Sequence, residues 1–300
     1  MHITVTRILA WEKIMSTVLI TGASGFIGKA LAAEMARDHT VVCMSRSRPN
    51  IDQPWVRGDF AMFEDLRRLD PYQIDVVVHL GAVTGGCLER DGIMVNMEGT
   101  RCLMRYLIDR GCRKFVMASS IAVVGLQNVA FRPLQLPIPD EHPCLDRDGY
   151  GFSKYLMEEV TRYYQRQNDF LDVINLRLSS VCADLASAVP GGVRPLGEWS
   201  LAGITVMTLS DAVRAFRLAA EASYSPSLRI LNATGPNVWA NAPTGEILRH
   251  WWGQEVDLSY FDEPGNTFAS VFDARKIHTE LGFVAVDLPG ATLPIEADGP

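Results

Sequence analysis

Apolar residues in this chain fall into two alternating patterns. Short, nearly continuous runs stand at 17–21 (TVLIT), 39–45 (HTVVCMS), 75–80 (DVVVHL), 114–118 (KFVMA) and 172–178 (DVINLRL). Between them, at 27–37, 95–110 and 149–167, apolar residues recur at the three-to-four spacing of a helix. The Val/Ile/Leu runs predict strands buried on both faces, and the spaced stretches predict the helices that cover them. Strand and helix in strict alternation predict an α/β fold, a doubly wound parallel sheet of Rossmann type. Ligands of such sheets bind outside the carboxyl ends of the strands.

Beyond Leu178 the alternation loosens. Residues 183–199 are rich in Gly and Pro, and Ser210–Ala222 reads as a helix opened by Ser210 or Asp211. Arg229–Ala233 predicts a late strand, Thr244–Trp252 a helix, and Phe272–Phe283 a helix stopped by Gly282. The expected division has three parts. Residues 1–14 are an extension or short extra element with no assigned function, ahead of Met15-Ser16-Thr17 as a natural start. Residues 15–178 form the dinucleotide-binding Rossmann domain. Residues 179–300 mainly form a small C-terminal substrate-binding lobe, with helix 210–222 and strand 229–233 returning to the first domain.

The 300 residues carry a net charge of −7 and a pI near 5.4, so there is no basic footprint for nucleic acid or an anionic membrane. No apolar run approaches the 18 or more residues of a membrane span, and residues 1–14 lack the apolar centre of a secretory signal. A cytoplasmic location is expected. The cysteines at 43, 87, 102, 112, 144 and 182 are scattered without Cys-x-x-Cys or a nearby His. They read as reduced core thiols, with no metal site.

Three clusters carry chemistry. Gly22, Gly25 and Gly28 join the first strand to the first helix, where glycines permit a tight turn, close approach to a pyrophosphate and helix–sheet packing. Tyr150 and Lys154 lie four apart, on one helix face, where an ammonium beside a phenol favours the phenolate. Ser119-Ser120 closes a strand and offers hydroxyl donors. Where an acid would bind the adenosine ribose of NAD, the second strand ends in Met44-Ser45-Arg46-Ser47-Arg48. Ser45 and Arg46 could receive a 2′-phosphate, which favours NADP over NAD. Asp59 is a candidate partner for the adenine amino group.

These residues resemble the extended short-chain dehydrogenase/reductases, the NAD-dependent epimerase/dehydratase group, from about Ser16 to Phe283. TGASGFIG at 21–28 is similar to the family's cofactor turn. His79-Leu80-Gly81-Ala82 resembles its strand end beside the cofactor ribose, and Val95–Thr100 its Asn-Val-x-Gly-Thr helix start. Ser119–Gly125 and YGFSK at 150–154 resemble the two catalytic segments. The resemblance implies Tyr150 as the proton-exchanging residue, and Lys154 as the group that holds the nicotinamide ribose and lowers the Tyr pKa. It implies Ser120 as the donor to the substrate oxygen and Asn96 as support for the site. Ser24, Phe26, Ile27, Phe60, Leu80, Gly81 and Ala82 would join the glycines on the cofactor, with Ser119 and Ser180 at the substrate. His79 reads as a packed strand-end residue.

Departures from the family narrow the reaction. Its dehydratases carry Asp-Glu where Ile121-Ala122 stands here, so dehydration is not expected. Its nucleotide-sugar epimerases carry Asn three residues after the Arg matching Arg177, where Ser180 stands. They carry a diphosphate-binding Arg where Ile204 stands, unless Arg194, Arg229 or Arg249 substitutes. The leading expectation is an NAD(P)-dependent oxidoreductase interconverting an alcohol and a carbonyl on a small polar, sugar-derived substrate. The alternative is a sugar or nucleotide-sugar epimerase that retains NAD, and a third is a non-catalytic NAD(P)-sensing protein. The resemblance also implies a homodimer through the helices at 96–110 and 150–167. Tyr155, Met157, Val160 and Tyr164 either contribute to that interface or face the chain's own sheet.

Overall fold

The computed structural model describes residues 15–125, 128–184, 196–197 and 200–286. The 1–14 extension, Arg194 and most of the Gly/Pro-rich stretch 183–199 lie outside the described residues.

Seven parallel strands form one sheet in the order β3-β2-β1-β4-β5-β6-β9. They are β1 Thr17–Thr21, β2 Thr40–Ser45, β3 Trp55–Arg57, β4 Val76–His79, β5 Lys114–Ser120, β6 Asp172–Leu178 and β9 Ser227–Ala233. The chain's strands run outward from β1 and then reverse to β4, so β1 and β4 flank the topological switch point where doubly wound sheets bind ligands. β7 (Ser180–Cys182) and β8 (Val206–Thr208) pair as a separate parallel ribbon.

Alternate residues of each strand face opposite layers. Val18, Ile20, Val78, Val116 and Ile174 pack with helix α1 (Phe26–Met35) and the helix Leu209–Glu221. Leu19, Val77, Phe115, Met117 and Val173 pack under α4 (Gly99–Ile108) and α5 (Gly149–Gln167). Met157 and Tyr164 of α5 are buried in that second layer. These two therefore face the chain's own sheet; Val160 also packs against it, and Tyr155 is half-buried.

A third apolar cluster joins Leu201, Ile204, Val238 and the helix Thr244–Trp252 to Ile121, Val124 and Ile138 beside the end of β5. The later chain thus splits: β9 and the helix Leu209–Glu221 belong to the sheet's layers, and 238–272 packs beside the carboxyl edge.

Several boundaries differ from expectation. Thr208, not Ser210 or Asp211, caps the helix Leu209–Glu221, its hydroxyl accepting from the Asp211 amide. The late strand starts earlier, at Ser227, and the last helix is shorter, Arg275–Leu281, ending at Gly282 with φ +66°. Helix 95–110 is the end of a longer helical run: α3 (Glu89–Gly92), a π-helical turn Ile93–Glu98, then α4. β3 and the short α2 (Phe63–Leu66) had no counterpart in the pattern. Among the described residues, no helix is long and apolar enough to cross a membrane.

Candidate active site

The β1–α1 turn is shaped by steric necessity. Gly22 has φ +67°, and a Cβ there would lie 2.8 Å from the Gly81 amide nitrogen. A Cβ on Gly28 would fall 2.2 Å from the Gly22 carbonyl oxygen. The first amides of α1 receive no side-chain cap from Gly25, and no acid occupies the first turn. A dinucleotide's pyrophosphate fits this uncapped, positively polarised helix end. Around it, Ser24 and Ile27 are half-buried and Phe26 is 51% exposed at the turn's rim.

The neighbouring strand end closes the cradle. Gly81 donates to Thr21 Oγ1 at 3.3 Å, and Leu80 and Ala82 flank it half-buried. His79 is locked between Thr21 Oγ1 at 2.6 Å and Thr100 Oγ1 at 3.1 Å, with the Phe60 ring edge-on at 4.8 Å. Burial, then the charge of Lys154, pushes its pKa down to about 3, so the imidazole is neutral. Asp59 Oδ1 accepts from the Ala61 amide at 2.9 Å and serves its own turn.

At the end of β2, Ser45 is buried. Its hydroxyl donates to the Ser47 carbonyl at 2.7 Å and accepts from Trp55 Nε1 at 3.2 Å. The proton a 2′-phosphate would need is already used. Arg46 is exposed, and Arg48 lies over the Trp55 ring at 5.9 Å.

The hydroxyls and the ammonium converge at the carboxyl end of β5. Asp148 caps α5, accepting from the Tyr150 and Gly151 amides at 3.0 Å each, and so starts the helix one residue before Tyr150. The Ser120 hydroxyl is the side-chain group that acts on the Tyr150 phenol, pulling its pKa down. Ser120 Oγ also accepts from the Ala122 amide at 3.1 Å, opening a 3₁₀ turn over Ile121–Val124. Lys154, 3% exposed, donates to the Ala118 carbonyl at 2.8 Å, with Nζ 6.0 Å from the Tyr150 ring centroid.

The electrostatics depart from the expected pattern. Burial raises the Tyr150 pKa, with the Ser120 hydrogen bond pulling it down only in part. Burial lowers Lys154 to about 8. Desolvation of two buried groups outweighs the phenolate-favouring field of the ammonium.

Asn96 is buried in the π-helical turn. Its Oδ1 accepts from the Val83 amide at 2.9 Å, and its Nδ2 donates to the Val83 carbonyl at 3.0 Å and to Ser153 Oγ at 2.8 Å. Ser153 in turn donates to the Tyr150 carbonyl at 2.7 Å. Asn96 thereby ties the strand end that carries Gly81 to the first turn of α5.

The other two serines of the expected substrate contacts each have a partner within the protein. Ser119 donates to Glu158 Oε1 at 2.6 Å and is buried on the α5 side of the sheet, so its hydroxyl faces away from Ser120. Strand alternation dictates this split. Ser180 is exposed and donates to the Ala202 carbonyl at 3.3 Å. Arg177 forms a buried, bidentate pair with Glu158, Nε–Oε1 2.9 Å and Nη2–Oε2 2.8 Å. Arg229 lies at the opposite, amino-proximal part of its strand and pairs with Asp172, and Arg249 pairs with Asp262, each at 2.5 Å. Ile204, Ile121 and Ala122 are buried and apolar.

Asp148, Ser153 and Glu158 escaped notice as site residues. The helix-cap preference marks Asp148, and the four-residue helix repeat after Lys154 marks Glu158. A cavity of about 710 Å³ opens beside the α5 cap, lined by Gly125, Phe131, Arg132, Asp146 and Asp148 among others.

A model of the NAD dependent epimerase/dehydratase family matches residues 18–216. Fruit-fly (Drosophila melanogaster) UDP-glucose 4-epimerase is 29% identical over 209 residues, 61% of this chain and 57% of that protein. Escherichia coli dTDP-4-dehydro-6-deoxyglucose reductase is 27% identical over 186 residues, 54% of this chain and 55% of that protein. The chain thus matches little more than half the length of either relative. The crystal structure of a short-chain dehydrogenase/reductase superfamily protein from Agrobacterium tumefaciens with bound NAD superposes with a TM-score of 0.69. It covers 90% of this chain and 92% of its own at 21% identity, a likeness of fold.

Proposed function

The chain belongs to the NAD dependent epimerase/dehydratase family, and from that premise we propose that it is an NAD-dependent oxidoreductase acting on a small, sugar-derived alcohol or carbonyl. One observation carries the reading: the Ser120 hydroxyl, which acts on the Tyr150 phenol, and the buried Lys154 stand together at the end of β5. When bound, NAD supplies the hydride acceptor of the reaction. Tyr150 takes the proton from the substrate hydroxyl, or returns it to the carbonyl oxygen, through its phenolic oxygen. Ser120 donates to that same oxygen and stabilises its developing charge. Lys154 holds the cofactor's ribose side with its ammonium, and the Gly22–Gly28 turn holds the pyrophosphate. Asn96, through Val83 and Ser153, fixes the distance between these two halves.

The substrate is compact. The position of the family's diphosphate arginine holds the apolar Ile204, and Arg229 and Arg249 are already paired with carboxylates. The apolar Ile121-Ala122 pair cannot move the protons of a dehydration. Residues 238–272 and the cavity beside Asp148 form the substrate lobe, and the cavity's size is that of a sugar-scale ligand site. A homodimer through the outer faces of α4 and α5 uses the exposed Phe152 and Tyr163. A second reading, an epimerase that retains NAD, is favoured by the likeness to fruit-fly UDP-glucose 4-epimerase.

A screen of free sugars, sugar acids and simple ketones, followed at the absorbance of reduced nicotinamide, separates the two. Net NADH formation supports the oxidoreductase; a changed sugar with no net absorbance change supports the epimerase. Full activity of Tyr150→Phe would overturn both.

A further inference from the structure

We propose that the amino edge of the sheet carries a second ligand site, for a small carboxylate with an apolar body, built around the buried ammonium of Lys114. It lies at the far end of β5 from Ser120, so it is separate from the reaction proposed above. A cavity of about 670 Å³ opens there, within the size range of small-molecule sites.

Strand register builds the floor of this cavity. Val18 of β1 pairs with Val76 of β4, and Val76 pairs with Lys114 of β5. Register partners in parallel strands share a face, so the three side chains form one row towards α1 and the helix Leu209–Glu221. Met35, at the end of α1, and Ala220, near the end of the other helix, add to the apolar surface. Lys114 is the charged member of the row, and it is only 6% exposed.

For a buried cation, Lys114 has few partners. An ammonium offers three donors, and among the described residues this one bonds only the carbonyl of Ala222, the C-cap of the helix Leu209–Glu221. A cation suits the negative end of a helix, but the bond uses a single proton. Asp172, the acid that acts on Lys114, is already engaged: Oδ1 pairs with Arg229 at 2.5 Å and Oδ2 accepts from the Ser225 amide at 3.1 Å. The acids lining the cavity are engaged too. Asp75 accepts from the Thr17 amide at 2.8 Å, and Glu221 meets His39 Nε2 at 3.0 Å and Arg217 Nε at 3.1 Å. Burial lowers Lys114 to about 8, so its charge persists at neutral pH. A carboxylate supplies the missing charge and acceptors, and an attached chain covers Val18, Met35 and Val76. Arg113, exposed over the Phe170 ring at 5.7 Å, adds a second cation at the rim. A bare anion would leave the floor wet, and a neutral chain would leave the ammonium unanswered.

Trace acetylation of the unaltered protein at neutral pH, read lysine by lysine with mass spectrometry, tests the site without any substitution. Hexanoate at about 10 mM should slow acetylation of Lys114 at least about threefold and leave the exposed Lys29 unaffected. Hexanol and inorganic phosphate at the same concentration should not protect Lys114. Equal protection by either would contradict the assignment of a carboxylate with an apolar body. In calorimetric titrations, Lys114→Met should weaken hexanoate binding at least about tenfold and leave NADH binding as it was. No protection of Lys114, or unchanged hexanoate affinity in Lys114→Met, would reduce Lys114 to a helix cap and remove the site. Displacement of NADH by hexanoate would put the binding at the catalytic edge and equally overturn the proposal.

Discussion

Ser119 donates its hydroxyl to Glu158 Oε1 at 2.6 Å, on the face of β5 away from the one its neighbour Ser120 presents to Tyr150. Two adjacent serines therefore have different partners: Ser119 ties the sheet to α5, and under the proposed reaction only Ser120 meets the substrate oxygen. Ser120→Ala is expected to lower kcat by about 10²–10³-fold, the usual loss for one donor to a developing oxyanion. Ser119→Ala is expected to leave kcat within a few-fold and to reduce stability by about 1.5–3 kcal/mol, since it removes a hydrogen bond to a buried charge. Steady-state rates and urea unfolding of both variants check the split; equal kinetic losses would contradict it.

The cofactor turn gives a second prediction with an internal control. Gly22→Ala forces a side chain into φ +67° and against the backbone of Gly81. It should weaken NADH binding, followed by fluorescence titration, at least about tenfold, or about 1.4 kcal/mol. Gly86 also has a positive φ, +81°, but nothing lies within 4 Å of the added Cβ. Gly86→Ala should cost only about 1–2 kcal/mol of folding stability and leave the NADH affinity unchanged.

The Ser45 hydroxyl is committed to Ser47 and Trp55, which under the proposed NAD-dependent reaction leaves Arg46 as the cation to test against a 2′-phosphate. With the Ser45 hydroxyl engaged, the exposed Arg46 and Arg48 are left to meet a 2′-phosphate, and solvent-screened arginines bind it weakly. NADH is therefore expected to support a higher kcat/KM than NADPH. Arg46→Ala should lower the remaining NADPH activity and leave NADH activity as it was. A preference for NADPH in the unaltered protein would reverse the assignment.

Much of the architecture was legible because it follows from periodicity. The α5 helix and β6 were read with their true limits, since each combines a clear period with a cap or turn at its ends. β3, three residues long, carries too few alternations to register. The cap at Thr208 was ambiguous because Thr, Ser and Asp all accept helix amides, and three of them stand within four residues. The site divided along a similar line. Tyr150, Lys154 and Ser120 are set by local spacing, whereas the fates of Ser119, Ser45 and Arg229 depend on partners in other elements. Residue type shows what a side chain can bind, not which end of the sheet it occupies.

Asp140 gives a prediction about stability. Burial pushes its carboxyl up to about 6, while the Asn232 amide, donating to Oδ1 at 2.5 Å, pulls the other way. A carboxyl whose folded pKa is raised binds its proton more tightly folded than unfolded. Its contribution is full below the ordinary pKa of 3.8 and is lost as pH rises towards 6. The loss amounts to at most about 2–3 kcal/mol. Asp140→Asn keeps an oxygen for the Asn232 amide and removes the titration. Urea midpoints should therefore be higher for Asp140→Asn than for the unaltered protein at neutral pH and similar near pH 4. A midpoint difference independent of pH would show that Asp140 does not titrate in this window.

The paired pKa displacements of Tyr150 and Lys154 set the pH dependence of the reaction. Burial raises Tyr150 above its ordinary 10, so the phenol remains protonated through the neutral range and can act as an acid. Burial lowers Lys154 to about 8, so its ammonium persists below that pH and is lost above it. In the reducing direction Tyr150 is ready throughout, and the limiting group is Lys154. The kcat/KM for carbonyl reduction should be level below pH 8 and fall above it, approaching tenfold per unit. In the oxidising direction Tyr150 must first lose its proton, so the rate should climb with pH over the range below 8 before Lys154 deprotonation limits it. Stopped-flow or steady-state profiles in both directions check the asymmetry. A reduction profile that stays flat well above pH 8 would mean that the Lys154 charge is not needed for turnover.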